Sequence, residues 1–227
     1  MSSATLYRWS GIVLLIGGLI GIMGTILDTI VFPDHNLTPQ QVLGTAFTID
    51  VILFVVWSLL LTLGLPGLYL RQAARAGKLG FAGFVLFSFG LLLGCVGFGI
   101  VQATVFPYLA QSAPTLLPSG GAGPISGFLL WILVPVLLLG IGAILLGIAT
   151  RRAHVFPGWI GILLIISGIL FILSIPALPP PFGTIIDAAS NIAFFVAFAW
   201  CGYLLTKQEP ETVEAVARPV AEVGASR

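Results

Sequence analysis

The feature that most constrains this chain is a series of six apolar runs, each about as long as a membrane is thick, separated by short polar links. Lipid offers no water to backbone N–H and C=O groups, so an isolated run of this kind is stable only as a helix. A helix needs about 20 apolar residues to cross the hydrocarbon layer. The spans predicted on this basis, numbered 1 to 6, cover residues 7–32, 45–70, 79–106, 126–150, 157–175 and 184–206. The sequence therefore predicts an all-α polytopic membrane bundle of six transmembrane helices.

Composition agrees with a membrane protein and excludes one class of partner. Hydrophobic residues make up 58% of the chain and charged residues 7%, whereas about a quarter of a soluble domain is charged. Nine Lys and Arg residues in the whole chain are too few for the clustered basic face that binds nucleic acid. The first apolar run is longer than the core of a secretory signal and lacks a small-x-small cleavage site. We therefore expect it to remain as span 1.

The basic residues all fall on one side of the six predicted spans, at Arg8, Arg71, Arg75, Lys78, Arg151, Arg152, Lys207, Arg218 and Arg227. Lys and Arg are retained on the cytoplasmic side of a membrane. Both termini are therefore predicted to be cytoplasmic, with a transmembrane domain over residues 1–207. The polar tail over residues 208–227 is predicted to be a disordered cytoplasmic segment.

Internal similarity predicts a repeat. The stretch "RWSGIVLLIGGLIGI" in span 1 returns in span 5 as "GWIGILLIISGILFI", and "IVFP" at the end of span 1 recurs as "TVFP" at the end of span 3. The simplest account is three tandem helical hairpins over about residues 6–72, 80–152 and 157–207. Each hairpin would begin and end in the cytoplasm, so the repeats would be parallel, with any pseudosymmetry axis along the membrane normal.

The opening run "LYRWSGIVLLIGGLI", followed by glycine-rich hairpins, resembles the start of multi-pass bacterial membrane proteins that are grouped as families of unknown function. This resemblance implies the plasma (inner) membrane of a bacterium. It implies no activity and assigns no residue to a site.

Polar residues within or beside the spans lie toward the predicted outer side, at Asp28, Asp50, Gln102, Asp187 and Asn191. Acids inside a membrane are costly and usually face the bundle interior, so these residues are candidates for an outward-open polar vestibule that attracts a cation. The alternative is helix capping, because Thr184 and Asp187 have capping-box spacing. Thr38 and Gln41 show the same pattern before span 2. Asp28 fits capping less well, since it lies near a helix C-terminus, where the dipole disfavours negative charge.

Two further features predict helix packing. Small residues four apart let helix backbones approach closely in lipid, and such pairs occur at Gly17, Gly21, Gly90 and Gly94. These faces could pair within one chain or between subunits. Pro66 in span 2 and Pro135 in span 4 remove a backbone donor each and should kink their helices.

No enzyme constellation is visible. The spans contain no His for a haem iron and no Lys for a Schiff base, and the chain has no P-loop and no cysteine-rich metal site. Cys95 and Cys201 lie in apolar runs, where thiols act as small hydrophobes. Asp34 and His35 in the first outer loop favour a solvated turn over a metal site. We predict no enzyme, no metal and no cofactor beyond a bound lipid or hydrophobic ligand.

Two functions remain open. The first is a non-enzymatic scaffold or accessory subunit that packs against other membrane proteins, a second copy of itself, lipid or hydrophobic ligands. The alternative is a permeation protein for a small solute or cation, which would use the outer aspartates. A permeation path needs polar side chains that continue to the cytoplasmic side. Because the sequence shows few of them, we expect the scaffold.

The predicted topology can be tested by cysteine labelling. In a chain with Cys95 and Cys201 replaced by alanine, we expect an impermeant maleimide to label Ser112→Cys on intact cells, because residue 112 lies in a predicted outer link. Lys78→Cys should be labelled only after lysis, because basic links stay in the cytoplasm. The reverse labelling pattern would contradict the predicted orientation.

Overall fold

The computed structural model describes residues 3–33, 37–117, 126–173 and 182–207. Within these ranges the chain is helical apart from short turns and contains no strand, which confirms the predicted all-α class. The elements in chain order are α1 (Ser3–Val31), α2 (Pro39–Val42), α3 (Thr45–Gly90), a π-helix (Leu91–Gly97), α4 (Phe98–Ser112), a 3-10 turn (Pro114–Leu116), α5 (Ser126–Ala153), α6 (Gly158–Leu173) and α7 (Phe182–Thr206). The predicted tail and the residues Asp34 and His35 lie outside the described ranges.

Four helical segments are long and apolar enough to cross a membrane: Thr5–Val31, Thr45–Ser112, Ile132–Ala153 and Phe182–Thr206. The shorter helix α6 has 16 residues and is also apolar. The segment Thr45–Ser112 has 68 residues, which as a straight helix would extend for about 100 Å. It therefore cannot be a single crossing, and the chain must reverse within it.

The reversal occurs at Gly77, whose backbone has φ 59° and ψ −160°. The rings of Tyr69 and Phe84 stack with centroids 4.6 Å apart, although 15 residues in a straight helix would separate them by about 22 Å. Phe54 and Phe98, which are 44 positions apart in the chain, also meet, edge to face with centroids 6.4 Å apart. Nothing lies within 4 Å of a Cβ placed on Gly77, so this position needs glycine for its positive φ and not for space.

The segment is thus a hairpin with a first limb over residues 45–76 and a second limb over residues 78–112. Two predicted boundaries are wrong as a result. The predicted link over residues 71–78 is helical up to the single turn residue Gly77, and the second limb continues past residue 106 to Ser112. With these two limbs, the described chain makes six helical passages.

The six passages form a closed ring, because α7 packs against α1 as well as against α6. The contacts are close at glycine. A Cβ on Gly18 would lie 2.8 Å from the Ala199 Cβ of α7, and a Cβ on Gly147 would lie 2.6 Å from the Gly161 carbonyl oxygen of α6. Each passage runs antiparallel to its neighbours along the chain. This is the arrangement expected when short turns join successive helices.

Aromatic rings fill the centre of the ring of helices. Trp57 meets Phe195 edge to face with centroids 4.8 Å apart, while Phe87 lies 5.6 Å from Phe194 and 5.4 Å from Phe198. All five side chains are buried. Beside them lie buried leucines, among them Leu61, Leu65, Leu68, Leu146 and Leu205. Aromatic pairs of this kind contribute about 0.5–1.5 kcal/mol each beyond their buried area.

The antiparallel packing separates the charges between the two ends of the bundle. The basic end carries Arg8, Arg71, Arg75, Lys78, Arg151, Arg152 and Lys207, whereas Asp28, Asp50 and Asp187 lie toward the other end, here called the acidic end. A second apolar cluster lies toward the acidic end and joins α2 to α3 and α4 through Phe32, Val42, Phe47, Val51, Phe106, Ala110 and Leu117.

The capping box predicted at Thr38 is formed. The Gln41 backbone N–H donates to Thr38 Oγ1 at 3.3 Å, and the Thr38 N–H donates to Gln41 Oε1 at 2.9 Å. The box starts the separate one-turn helix α2, however, and not an extended span 2. Helix α3 begins later, with Gly44 as its N-cap.

The capping box predicted for Thr184 and Asp187 is wrong. Helix α7 already begins at Phe182, so Thr184 lies inside it. The Thr184 hydroxyl donates instead to the carbonyl oxygen of Pro33 at 2.7 Å. This bond ties the start of α7 to the chain that leaves α1.

Each glycine of the two predicted packing pairs faces another helix of the same chain. The neighbours that a Cβ would meet there are Leu60 and Leu61 for Gly17, the Phe195 ring for Gly21, Leu139 for Gly90, and Pro135 for Gly94. The contacts at Gly17 and Gly21 join α1 to α3 and α7. Those at Gly90 and Gly94 join the second limb to α5.

The contact between α1 and α7 gives a stability prediction. The substitution Gly202→Ala places a methyl group against the Leu15 nitrogen and 2.6 Å from the Gly11 carbonyl oxygen, and backbone atoms cannot move aside. Overpacking of this kind costs about 1–3 kcal/mol, so the melting temperature in detergent should fall.

The matched control is Gly24→Ala, where the nearest atom is the Leu53 Cβ at an ordinary 3.8 Å. This variant should melt at or slightly above the temperature of the parent protein, since alanine is the better helix former. Equal melting temperatures for the two variants would contradict the close approach of α1 and α7.

Candidate functional site

A cavity of about 290 Å³ lies among the helices, toward the acidic end. Its described lining residues come from every passage other than α1. They are Phe54, Trp57, Gly94, Cys95, Phe98, Ile132, Pro135, Val136, Leu139, Phe171, Asp187, Asn191 and Phe194. The walls are therefore apolar for the most part, with one carboxyl group and one amide.

Five of the lining side chains are aromatic, and their rings contact one another. Phe54 meets Trp57 edge to face with centroids 5.1 Å apart, and it meets Phe98 at 6.4 Å. Trp57 in turn meets Phe194 edge to face at 6.5 Å, and Phe194 meets Phe171 edge to face at 5.7 Å. Edge-to-face packing fixes the ring planes, so the shape of the cavity is defined by mutually supported side chains.

The polar side of the cavity belongs to α7. Asp187, Asn191 and Phe194 are spaced i, i+4 and i+7, which places them on one helical face. The Asn191 amide nitrogen donates to the backbone carbonyl oxygen of Asp187 at 2.9 Å, so the amide is held against its own helix. Both polar side chains are half-buried. The cavity thus combines an aromatic wall with one acceptor-bearing edge.

The wall of the cavity contains a π-helix that faces a proline of α5. Gly94 and Cys95 lie in the π-helix Leu91–Gly97, a geometry that occurs often at functional sites. A Cβ on Gly94 would lie 2.6 Å from the Pro135 Cβ of α5, and Pro135 cannot donate a hydrogen bond to the preceding turn. Of the two predicted kink residues, Pro135 lines the cavity while Pro66 is exposed on the first limb.

The five candidate vestibule residues do not all meet at one place. Asp187 and Asn191 line the cavity, whereas the other three are not among its lining residues. Asp28 and Asp50 are close enough for their negative charges to repel each other. The Gln102 side-chain oxygen is buried and accepts no hydrogen bond from any part of the chain that the structure describes.

Polar side chains nearer the basic end do not extend the cavity. The Ser190 hydroxyl is buried and donates to the Ser167 carbonyl oxygen of α6 at 3.0 Å. Thr150 is buried in α5, and its hydroxyl has no hydrogen-bond partner within the described ranges. Neither residue lines the cavity, and the fully buried rings of Phe87 and Phe198 fill the core beside it.

The chemistry of the lining residues favours an apolar molecule with one polar group. Among the described residues no group of three or more His, Cys, Asp or Glu side chains could hold a metal ion. The carboxyl of Asp187 and the amide of Asn191 can bind a donor, and the aromatic wall can contact an apolar body. Pockets built in this way are typical small-molecule sites.

The aromatic wall was not predicted from the sequence, although one signal points to it. Tryptophan in membrane proteins is enriched at the two interfaces, whereas Trp57 is placed well inside span 2. A mid-span tryptophan therefore indicates an interior role. The sequence "LLLGCVG" carries no comparable signal for the π-helix, because its apolar residues suit any helical geometry.

Comparison of the chain with protein-family models, with curated proteins and with solved structures finds no match. No known activity can be transferred from a relative. The function is therefore inferred from the cavity and from the residues that surround it.

The two cysteines should differ in their access to thiol reagents. Cys95 lines the cavity, whereas Cys201 is 1% exposed and packed in the main core. Thiol modification follows access, so methyl methanethiosulfonate should modify Cys95 about tenfold faster than Cys201. Mass spectrometry of the variant Cys201→Ala gives the rate at Cys95, and that of Cys95→Ala gives the rate at Cys201. Equal rates would contradict a cavity beside Cys95.

Proposed function

We propose that this protein is a non-enzymatic integral membrane scaffold or accessory subunit that holds a lipid or hydrophobic ligand among its helices. The observation that carries this proposal is the cavity beside Trp57, Asp187 and Asn191. Its volume of about 290 Å³ is close to the lower end of small-molecule sites, which start at about 300 Å³. A mainly apolar lining with few polar groups matches the composition of such sites.

The outer surface supports a role beside lipid or other membrane proteins. Large apolar side chains are exposed on several passages, including Leu19, Met23, Leu63, Phe89 and Ile100. A soluble protein would rarely leave so many of them in water. In a membrane this surface contacts lipid tails, a second copy of the chain or the helices of a partner.

The orientation that fits this role places the basic end in the cytoplasm of a bacterial cell, at the plasma membrane. Lys and Arg are retained on that side, and the resemblance of span 1 points to bacteria. An aromatic group near the basic end supports a position of that end at one of the two membrane–water interfaces. Trp159 and Trp200 meet with centroids 5.4 Å apart, and Lys207 Nζ lies 4.6 Å from the centre of the Tyr203 ring. Such side chains anchor helices at the membrane–water interface.

The ring is proposed to consist of three tandem hairpins around an axis along the membrane normal. The closed order of the passages is compatible with that axis. Gly11 and Gly18 of α1 face α7, the passage that precedes α1 around the ring, and Gly161 and Gly168 of α6 face α5 in the same sense. Both pairs are spaced seven residues apart, at the 150-residue offset of the two similar spans.

A permeation role is the second candidate. The repelling charges of Asp28 and Asp50 favour it, since adjacent acids attract cations. The apolar core around Phe87, Leu146 and Phe198 weighs against it, because a path needs polar side chains across the membrane. The scaffold is therefore preferred.

The test of the scaffold proposal is mild purification from the native membrane followed by mass spectrometry of what stays bound. We expect a stoichiometric partner protein or hydrophobic ligand. The variant Val136→Trp fills the cavity and should lose the ligand, whereas Val134→Trp, whose parent side chain is 47% exposed, should keep it. Matching melting temperatures of the two variants exclude misfolding as the cause.

Bulk lipid alone in the wild type, with no partner protein, would contradict the scaffold and favour permeation. Ion flux into liposomes would then be measured for Asp28→Asn and Asp50→Asn. Each variant should slow cation entry by about tenfold if the aspartates attract the ion.

A further inference from the structure

The cavity combines two features that attract positive charge. The faces of aromatic rings carry negative potential, and a cation within about 6 Å of a ring centre gains about 0.5–2 kcal/mol. Phe54, Trp57, Phe98, Phe171 and Phe194 line the same space as the carboxyl group of Asp187. None of the described lining residues is basic. The ring faces and the carboxyl group therefore favour a positively charged ligand at the same place.

The charges of the bundle as a whole also make the surroundings of the cavity negative. Asp28 and Asp50 lie toward the same end as the cavity, while the described Lys and Arg side chains lie at the basic end. Charges in a low-dielectric environment are little screened. The field at the cavity therefore disfavours an anionic ligand and favours a cation.

Asn191 adds an acceptor at the same edge. Its amide nitrogen already donates to the Asp187 carbonyl oxygen at 2.9 Å. The side-chain oxygen of the amide can then accept a hydrogen bond from an N–H donor. An ammonium group between Asp187 and Asn191 would find a carboxylate and an amide oxygen one helical turn apart.

The geometry points to a lipophilic organic cation as the ligand of this cavity: an ammonium group beside Asp187 and Asn191, on an apolar body that packs against Phe54, Trp57 and the facing rings. This inference rests on the proposed function, in which the cavity holds a ligand. It adds the charge of that ligand and the side chain that selects it. A cavity of about 290 Å³ suits a body of one or two rings.

The test uses two probes of the same shape, benzylammonium, whose charged group carries N–H donors, and its uncharged carbon isostere ethylbenzene. The full-length protein is placed in phosphatidylglycerol nanodiscs with Trp9, Trp131, Trp159 and Trp200 changed to phenylalanine, so that fluorescence reports on Trp57 alone. We expect the cation to bind at least about tenfold more tightly than the isostere. Asp187→Asn should weaken cation binding by about tenfold and change binding of the isostere by less than about twofold.

Two comparison variants separate a local contact at Asp187 from the general negative field of the acidic end. Asp28→Asn removes a negative charge outside the cavity lining, so a loss equal to that of Asp187→Asn would mean that the general field and not a local contact selects the cation. Asn191→Leu keeps the volume of the side chain and should weaken binding of the cation by a smaller factor than Asp187→Asn does. It serves as the second test if Asp187→Asn does not fold, as judged by its melting temperature.

The outcomes distinguish the two proposals. If both probes bind equally and Asp187→Asn changes neither, the cavity is a ligand site but the inference of a cation is wrong. If neither probe changes the emission of Trp57, the cavity takes no ligand, and the proposed function fails with the inference.

A second arm identifies the source of the ammonium group. Phosphatidylethanolamine is added to the nanodiscs, and the affinity for benzylammonium is measured again. Competition would assign the ammonium to a lipid headgroup. Unchanged affinity would assign it to a free amine that enters the cavity.

Discussion

The structure depends on the close approach of helix backbones at small residues. Lipid tails are as apolar as leucine, so helices in a membrane gain little by exchanging one apolar neighbour for another and must gain from close contact instead. At Gly11 with Gly202, and at Gly147 with Gly161, a carbonyl oxygen would lie within 2.8 Å of an added Cβ. These contacts close the ring of six passages, and the remaining features occupy the space that the ring encloses.

The same constraint explains the cavity. Glycine contacts bring α1 and α7 together along much of their length, and buried leucines and phenylalanines fill the basic half of the core. On the far side of the ring, the second limb departs from α-helical geometry in the π-helix, which faces Pro135 of α5. Bulky rings line that space without filling it. Cavity, charge and irregular backbone therefore coincide, which is the combination expected of a binding site.

The sequence-based predictions succeed and fail for identifiable reasons. The helices follow from apolar length, and the Thr38 capping box follows from local spacing. The turn at Gly77 was placed only within a longer link, because residues 71–76 include polar side chains typical of a link and yet are all good helix formers. Thr184 has the spacing of an N-cap, yet its hydroxyl bonds to Pro33, 151 positions away in the chain. A partner so distant leaves no local signal.

The sequence by itself determined that the chain is helical and apolar and that its charges divide between two ends, because backbone hydrogen bonds in a helix are local and hydrophobicity adds up along a run. Only the tertiary structure decided that Asp187 and Asn191 share a cavity with five rings while Asp28 and Asp50 lie outside its lining. Which side chains meet depends on the rotation and register of each helix against its neighbours. Those are set by contacts such as Gly202 against α1, between residues far apart in the sequence.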